Sequence, residues 1–145
     1  MAEEVTVTAG LLDLSGMTFQ TRTPSGHALT LDASSELGGE GHGPSPTETL
    51  LVALAGCTGM DVISLLRKMR QNVTGYEVRV SGVQADDHPR IYTSVDVEHV
   101  VSGIQLEASK VDRAVKLSAT RYCPVSATLG AVGTVRHHAT IRNQD

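Results

Sequence analysis

The chain is long enough to fold without disulfides or metals, because 145 residues can bury about two-thirds of the unfolded surface. Aromatic residues make up only 3% of it, so the core must be aliphatic, and the net charge of -4 argues against nucleic-acid binding. No apolar run reaches the roughly 18 residues of a membrane span, and the acidic N-terminus does not resemble a signal peptide. We therefore expect a cytosolic protein that has one domain over residues 1–145 and does not bind membranes.

Alternating polar and apolar residues predict three short strands in the first third of the chain. They cover residues 5–9, 17–21 and 28–31, and Pro24–Gly26 has turn chemistry between the last two. A glycine-rich loop follows over residues 34–43, and we expect it either to approach another backbone closely or to move.

A long helix is predicted from Pro46 to about Arg70. Ser45 is a candidate N-cap, Pro46 suits the first helical position, and Glu48 stands where a capping box has its glutamate. Residues 50–55 are apolar on every side of this helix, which a small monomer cannot easily bury. A partner subunit is therefore expected to cover them.

The remaining sequence predicts a hairpin, two helices and a last strand. Alternation indicates the hairpin at 76–80 and 91–101, and an amphipathic stripe indicates a helix at 106–121. A short helix is predicted at 124–130 and the last strand at 135–141. The order βββ-α-ββ-α-β indicates an α+β fold with a largely antiparallel sheet.

Two cysteines are the groups in this sequence that can perform redox chemistry without a cofactor, since a thiolate can form sulfenic acid and be rescued by a second thiol. Cys57 lies inside the long helix with Asp61 at i+4. Burial and a carboxylate both raise a thiol pKa, which favours an inert, buried Cys57. Cys123 precedes Pro124 at the start of a short helix, where free N–H groups lower a thiol pKa. From these local effects alone, Cys123 is predicted to ionise to the thiolate more readily than Cys57.

The other candidate groups show no site pattern. The six histidines form no HxxxH or HExxH motif, and His137 and His138 must point to opposite faces of a strand, so no metal site is expected. The glycine-rich loop lacks both nucleotide-binding patterns, so no cofactor is expected either.

The segments around both cysteines resemble the OsmC/Ohr family (osmotically inducible protein C and organic hydroperoxide resistance protein). Residues 43–57, GPSPTETLLVALAGC, are similar to the family's first cysteine helix, and residues 123–129, CPVSATL, to its second cysteine motif. The predicted order of elements matches this family over essentially the whole chain. The resemblance implies an intertwined homodimer, in which two sheets wrap a pair of central helices and two active sites form at the interface.

The resemblance also implies a reaction with an organic hydroperoxide. Cys57 would be the peroxidatic residue and Cys123 the resolving one, and an external thiol would reduce the disulfide between them. The resemblance thus makes Cys57 the nucleophile, whereas local chemistry favours Cys123. The family's activating glutamate is expected directly after Pro46, but Glu48 lies one residue later and about 100° around the helix. The family's activating arginine has no match in register, so Arg22, or Arg121 in its place, is predicted to support the Cys57 thiolate.

Two functions therefore stay open from the sequence. The paired cysteines favour a thiol-dependent peroxidase for organic hydroperoxides in oxidative-stress defence. The missing activators favour a small-ligand binder or redox sensor on the same dimeric scaffold, with an interface pocket lined by Leu, Met and Val. A structural protein with inert thiols is the third interpretation.

Overall fold

The computed structural model describes residues 2–144, which divide by contact into two compact units, one up to Leu50 and one from Leu51 onward. The first unit contains an antiparallel sheet in the order β1-β2-β3, made of β1 (Thr8–Leu11), β2 (Phe19–Arg22) and β3 (Ala28–Leu31). The second and third predicted strands are confirmed. The first begins at Thr8 instead of Val5, because Thr8 is the residue that pairs with the end of β2.

A buried carboxylate organises the glycine-rich loop of this unit. Asp32 is only 2% exposed and accepts hydrogen bonds from the backbone N–H groups of His42 and Glu40. These N–H groups hold the pKa of Asp32 below its usual range, and the N–H of His42 has the largest effect. At Gly43 a Cβ would collide with the backbone carbonyl of Thr30. The loop thus approaches another backbone closely, which is one of the two outcomes expected from its composition.

Helix α1 runs from Pro46 to Lys68, and its predicted N-terminal signals are confirmed. The hydroxyl of Ser45 accepts the N–H of Glu48 at 3.2 Å, and the Glu48 carboxylate accepts the N–H of Ser45 at 2.9 Å. This is a complete capping box. The helix ends before Arg70, which adopts a left-handed conformation with φ 58°.

The second unit holds a sheet in the order β4-β5-β6, made of β4 (Asn72–Gln84), β5 (Tyr92–Ile104) and β6 (Thr134–Gln144). The first two strands form the predicted antiparallel hairpin, whereas β5 and β6 are parallel. Parallel neighbours need a long crossover, which the helices between them provide. Two three-stranded sheets and their helices confirm the predicted α+β class.

The crossover contains a change of helix type. Helix α2 covers Ala108–Leu117, residues Ser118–Tyr122 form a π-helical turn, and α3 covers Pro124–Gly130. The helix predicted over residues 106–121 is therefore present from Ala108, and its last turn is π-helical. The wider turn closes when the N–H of Cys123 donates to the carbonyl of Ser118 at 2.9 Å. Such π-turns often occur at functional sites, and this one positions Ser118 and Cys123.

Two apolar clusters form the core of the second unit. The cluster near the end of α1 comprises Val62, Leu66, Val101, Leu106, Val111, Ala114 and Val115. The other cluster contains Leu54, Val95, Val97 and Cys123, with Cys57 packed against it from the side. Both cysteines therefore belong to the same part of the core.

One side of α1 stays open to solvent in the single chain. Leu50 is 46% exposed, Val52 64% and Met60 72%. Contrary to the expectation that no apolar run is long enough to span a membrane, this helix meets the criterion by length and composition, with a mean hydropathy of 1.9 over 18 residues. Core helices of soluble proteins meet the same criterion, so it does not by itself mark a membrane span.

Candidate functional site

The two cysteine sulfurs lie close together in the second unit. Cys57 projects from the middle of α1, and Cys123 is the N-cap residue of α3. Their sulfur atoms and a carboxylate oxygen of Asp61 all lie within 4.8 Å of one another. Both thiols are free, and a modest approach would bring the sulfurs to the bond length of a disulfide, about 2.05 Å.

The two thiols differ in their access to solvent. Cys57 is partly exposed, whereas Cys123 is only 3% exposed. A molecule arriving from solution therefore meets Cys57 first. Cys123 lies behind it and can reach Cys57 without leaving the core.

The prediction that N–H groups at the start of α3 lower the pKa of the Cys123 thiol is wrong. Its sulfur does accept the N–H of Ser126 at 3.3 Å, as expected at a helix start. Burial nevertheless raises the pKa of Cys123 to about 11, helped by its hydrogen bond to Cys57 and opposed only in part by the N–H groups of Ser126 and Val125. Desolvation of a charged sulfur outweighs these donors.

A hydroxyl pair holds the carboxylate beside the sulfurs. Ser118 donates to Oδ2 of Asp61 at 3.0 Å, and its oxygen lies 2.7 Å from the hydroxyl of Thr58. Since Ser118 has a single hydroxyl proton, Thr58 must be the donor to Ser118. Thr58 and Ser118 are fully buried, so this chain sets the position of the Asp61 side chain.

A second buried polar chain runs along the sheet to the start of α3. The Tyr76 hydroxyl lies 2.6 Å from Nδ1 of His99, and Nε2 of His99 lies 3.1 Å from Nδ1 of His137. Nε2 of His137 lies 3.0 Å from the hydroxyl of Ser126, whose N–H bonds the Cys123 sulfur. The two imidazole rings stack at 5.4 Å between centroids.

Burial determines the protonation of this chain. It lowers the pKa of His99 to about 4, helped by the charges of His137 and His138, and it also lowers the pKa of His137. The pKa of the Tyr76 phenol is raised mainly by burial and to a smaller extent by the charge of Asp61. At neutral pH Tyr76 therefore keeps its phenolic proton, and His99 is a neutral imidazole that donates through one ring nitrogen and accepts through the other.

The other predicted site residues have different surroundings. The carboxylate of Glu48 is engaged in the capping box of α1. Arg121 is exposed and its guanidinium lies over the Tyr122 ring, 5.5 Å from the centroid. Arg22 is exposed at the end of β2 in the first unit. The supporting role of either arginine at Cys57 stays a prediction.

Sequence reasoning missed most of the polar residues around the sulfurs. The histidines were interpreted as structural, because no ligand spacing connects positions 99 and 137. His137 and His138 do point to opposite faces, as predicted: His138 bonds Asp96 at 2.9 Å on the outer side. The available signal is a histidine at position 99 among the valines of β5, because a polar residue that is buried with them needs a partner.

The family model described as OsmC-like protein matches residues 39–137, a range that includes both cysteine segments. The chain belongs to the OsmC family. Membership indicates a peroxide-related redox role. The hydroperoxide, the nucleophile and the reductant are finer points that membership leaves open.

Individual relatives agree with this assignment. Protein YhfA of Escherichia coli K12 is 36% identical over 124 residues, which cover 86% of this chain and 90% of that protein. A hypothetical protein from Aquifex aeolicus VF5 is 27% identical and superposes with a TM-score of 0.85, covering 99% of this chain and 100% of that one. An organic hydroperoxide resistance protein OsmC from Legionella pneumophila shares the fold at 16% identity, with a TM-score of 0.72 and coverage of 97% and 98%.

Proposed function

We propose that this protein is a thiol-dependent peroxidase that reduces organic hydroperoxides through a Cys57–Cys123 disulfide. One observation carries the proposal: two free sulfurs lie within 4.8 Å of each other, the first partly exposed and the second buried behind it. Unequal access assigns the first reaction to Cys57 and the second to Cys123. OsmC family membership supports the substrate class.

The first step oxidises Cys57. Its thiolate attacks the outer oxygen of the hydroperoxide, the O–O bond breaks, and the leaving alkoxide takes up a proton to become an alcohol. The Cys57 sulfur is now a sulfenic acid. Met60, one turn along α1 from Cys57, is an exposed apolar side chain that favours an organic substituent over a hydrated peroxide.

The second step forms the disulfide. The Cys123 sulfur attacks the Cys57 sulfenic sulfur, an S–S bond forms, and the hydroxyl leaves as water with the Cys123 proton. Condensation within the core competes with overoxidation, because the resolving thiol is already close. A small or protein dithiol then reduces the disulfide by two thiol–disulfide exchanges.

We expect organic hydroperoxides to oxidise the reduced, chelator-treated wild-type protein. Stopped-flow measurement of thiol loss should be roughly 10-fold faster with cumene hydroperoxide than with hydrogen peroxide, as the burial of an apolar group contributes about 1–3 kcal/mol. Non-reducing tryptic mapping should link the peptide ending at Arg67 to the peptide ending at Arg136. Thiols that persist through excess cumene hydroperoxide would exclude the peroxidase. If diamide still produced the 57–123 link, the redox-sensor alternative would take its place.

We also propose that the protein acts as a homodimer, with a second copy covering the open side of α1. The helix that carries Cys57 exposes three large apolar side chains, those of Leu50, Val52 and Met60. Sedimentation at micromolar concentration should give twice the 15.3 kDa mass of the chain. Met60→Glu should shift the equilibrium toward monomer, whereas Arg113→Glu, on an exposed position of α2, should not. A wild-type monomer would contradict the proposal.

The cytosol is the compartment that we propose for this chemistry. A cysteine pair that cycles between two thiols and a disulfide fits the cytosol, where protein disulfides are mostly transient and catalytic or redox-sensing. The cytosol would also supply a thiol that reduces the Cys57–Cys123 disulfide and so completes the catalytic cycle.

A further inference from the structure

Three groups that become anionic on deprotonation share one small volume. Cys57, Asp61 and Cys123 each offer one ligand atom within 4.8 Å of the other two. The ion pairs found among residues 2–144 do not include Asp61. Three deprotonated groups this close would repel one another, so their arrangement is unfavourable without a positive charge. A bound cation would make it favourable.

We propose that the reduced Cys57–Asp61–Cys123 cluster binds one thiophilic divalent cation of the Zn²⁺ class. Thiolates and a carboxylate are ordinary zinc ligands, and three protein ligands leave a fourth position for water. Zn–S bonds of about 2.3 Å and Zn–O bonds of about 2.0–2.2 Å place tetrahedral ligands roughly 3.6–3.8 Å apart. Cation binding must therefore draw the three ligand atoms together from separations of up to 4.8 Å.

Hydrogen bonds around the cluster already orient two of the three ligands. Ser118 donates to Oδ2 of Asp61 at 3.0 Å, which restrains the carboxylate beside the sulfurs. The N–H of Ser126 donates to the Cys123 sulfur at 3.3 Å, a contact that stabilises a metal thiolate. Outer contacts of this kind are a regular feature of protein metal sites.

The site is open to ions from solution. Asp61 lines a depression of about 350 Å³ together with Ser64, Lys68 and Tyr122. Cys57 is also partly exposed. In the single chain, a hydrated cation can therefore reach Asp61 without rearrangement of the core.

Occupancy by a cation and formation of the disulfide exclude each other, because both use the same sulfur lone pairs. The site itself needs only the reduced sulfurs and does not depend on the peroxidase reaction. If both exist, the cation holds the pair reduced until it is released. The sequence carries no motif for this site, because its ligands come from α1 and from the start of α3, far apart along the chain.

Titration of the reduced, chelator-washed protein with Co²⁺ in the absence of oxygen tests this proposal. We expect strong tetrahedral visible bands and a near-ultraviolet sulfur-to-cobalt charge-transfer band, both saturating at one ion per chain and reversed by Zn²⁺. Cys57→Ser should remove about half of the charge-transfer intensity. Asp61→Asn should weaken binding by about 10–100-fold, the loss typical of a perturbed metal shell, while both sulfur bands persist. Asp112→Asn, at an exposed carboxylate on α2, is the matched control and should bind as the wild type does.

Absence of the charge-transfer band, or an unchanged affinity in Asp61→Asn, would overturn the three-ligand site. Binding through histidines would leave the visible bands intact in Cys57→Ser, and it would overturn the site as well. In the wild type, Zn²⁺ should slow alkylation of both thiols, a readout that needs no variant. Because no peroxide is used, these results stand apart from the peroxidase test.

Discussion

Replacing Cys57 with Ser should abolish hydroperoxide consumption, with a loss of more than about 100-fold, because a hydroxyl without an activating base cannot replace a thiolate nucleophile. Replacing Cys123 with Ser should leave the first step intact. That variant should consume one equivalent of cumene hydroperoxide per chain and then stop. Its Cys57 should accumulate as sulfenic acid, because the group that resolves it is gone.

Dimedone labelling followed by mass spectrometry distinguishes the two variants. The label should appear at Cys57 in Cys123→Ser, and neither cysteine should be labelled in Cys57→Ser. Thr120→Ser, at an exposed hydroxyl of the π-turn, is a control that should keep full turnover. If Cys57→Ser consumed one equivalent and Cys123→Ser none, the assignment from exposure would be reversed.

Acidification should destabilise the protein through the buried His99. Its pKa is about 4 in the folded state against an ordinary value of 6.5, so the unfolded chain binds more protons between these values. The stabilisation is fully present above pH 6.5 and is lost as the pH falls toward 4. Between pH 7 and pH 5 this single group should lower the free energy of unfolding by about 2 kcal/mol. The lowered pKa of His137 acts in the same direction.

Urea denaturation at pH 7, 6 and 5, at one fixed protein concentration, measures this loss. His99→Asn should remove most of the pH dependence, since the side chain that must take up a proton is absent. His27→Asn, in the exposed β2–β3 turn, should leave it unchanged. Equal unfolding free energies at pH 7 and pH 5 in the wild type would show that His99 titrates normally in the folded state.

The sequence determined the parts of this protein that depend on neighbours along the chain. Ser45, Pro46 and Glu48 specify the start of α1, because a capping box is closed within one turn of helix. Alternating residues specify the β4–β5 hairpin for a similar reason, since the side-chain period of two is a local property. The two cysteine segments were sufficient for the family.

Only the tertiary structure decided the chemistry around the sulfurs. The pKa of Cys123 depends on how much water the core excludes from the sulfur. Its neighbours in sequence reveal only the N–H donors at the start of α3. Ser118 meets Thr58 across 60 residues, and His99 meets His137 across 38, through the π-turn and the parallel pairing of β6. Side chains that far apart in sequence are brought together by packing, and their pKa values follow from the desolvation and charges that packing creates.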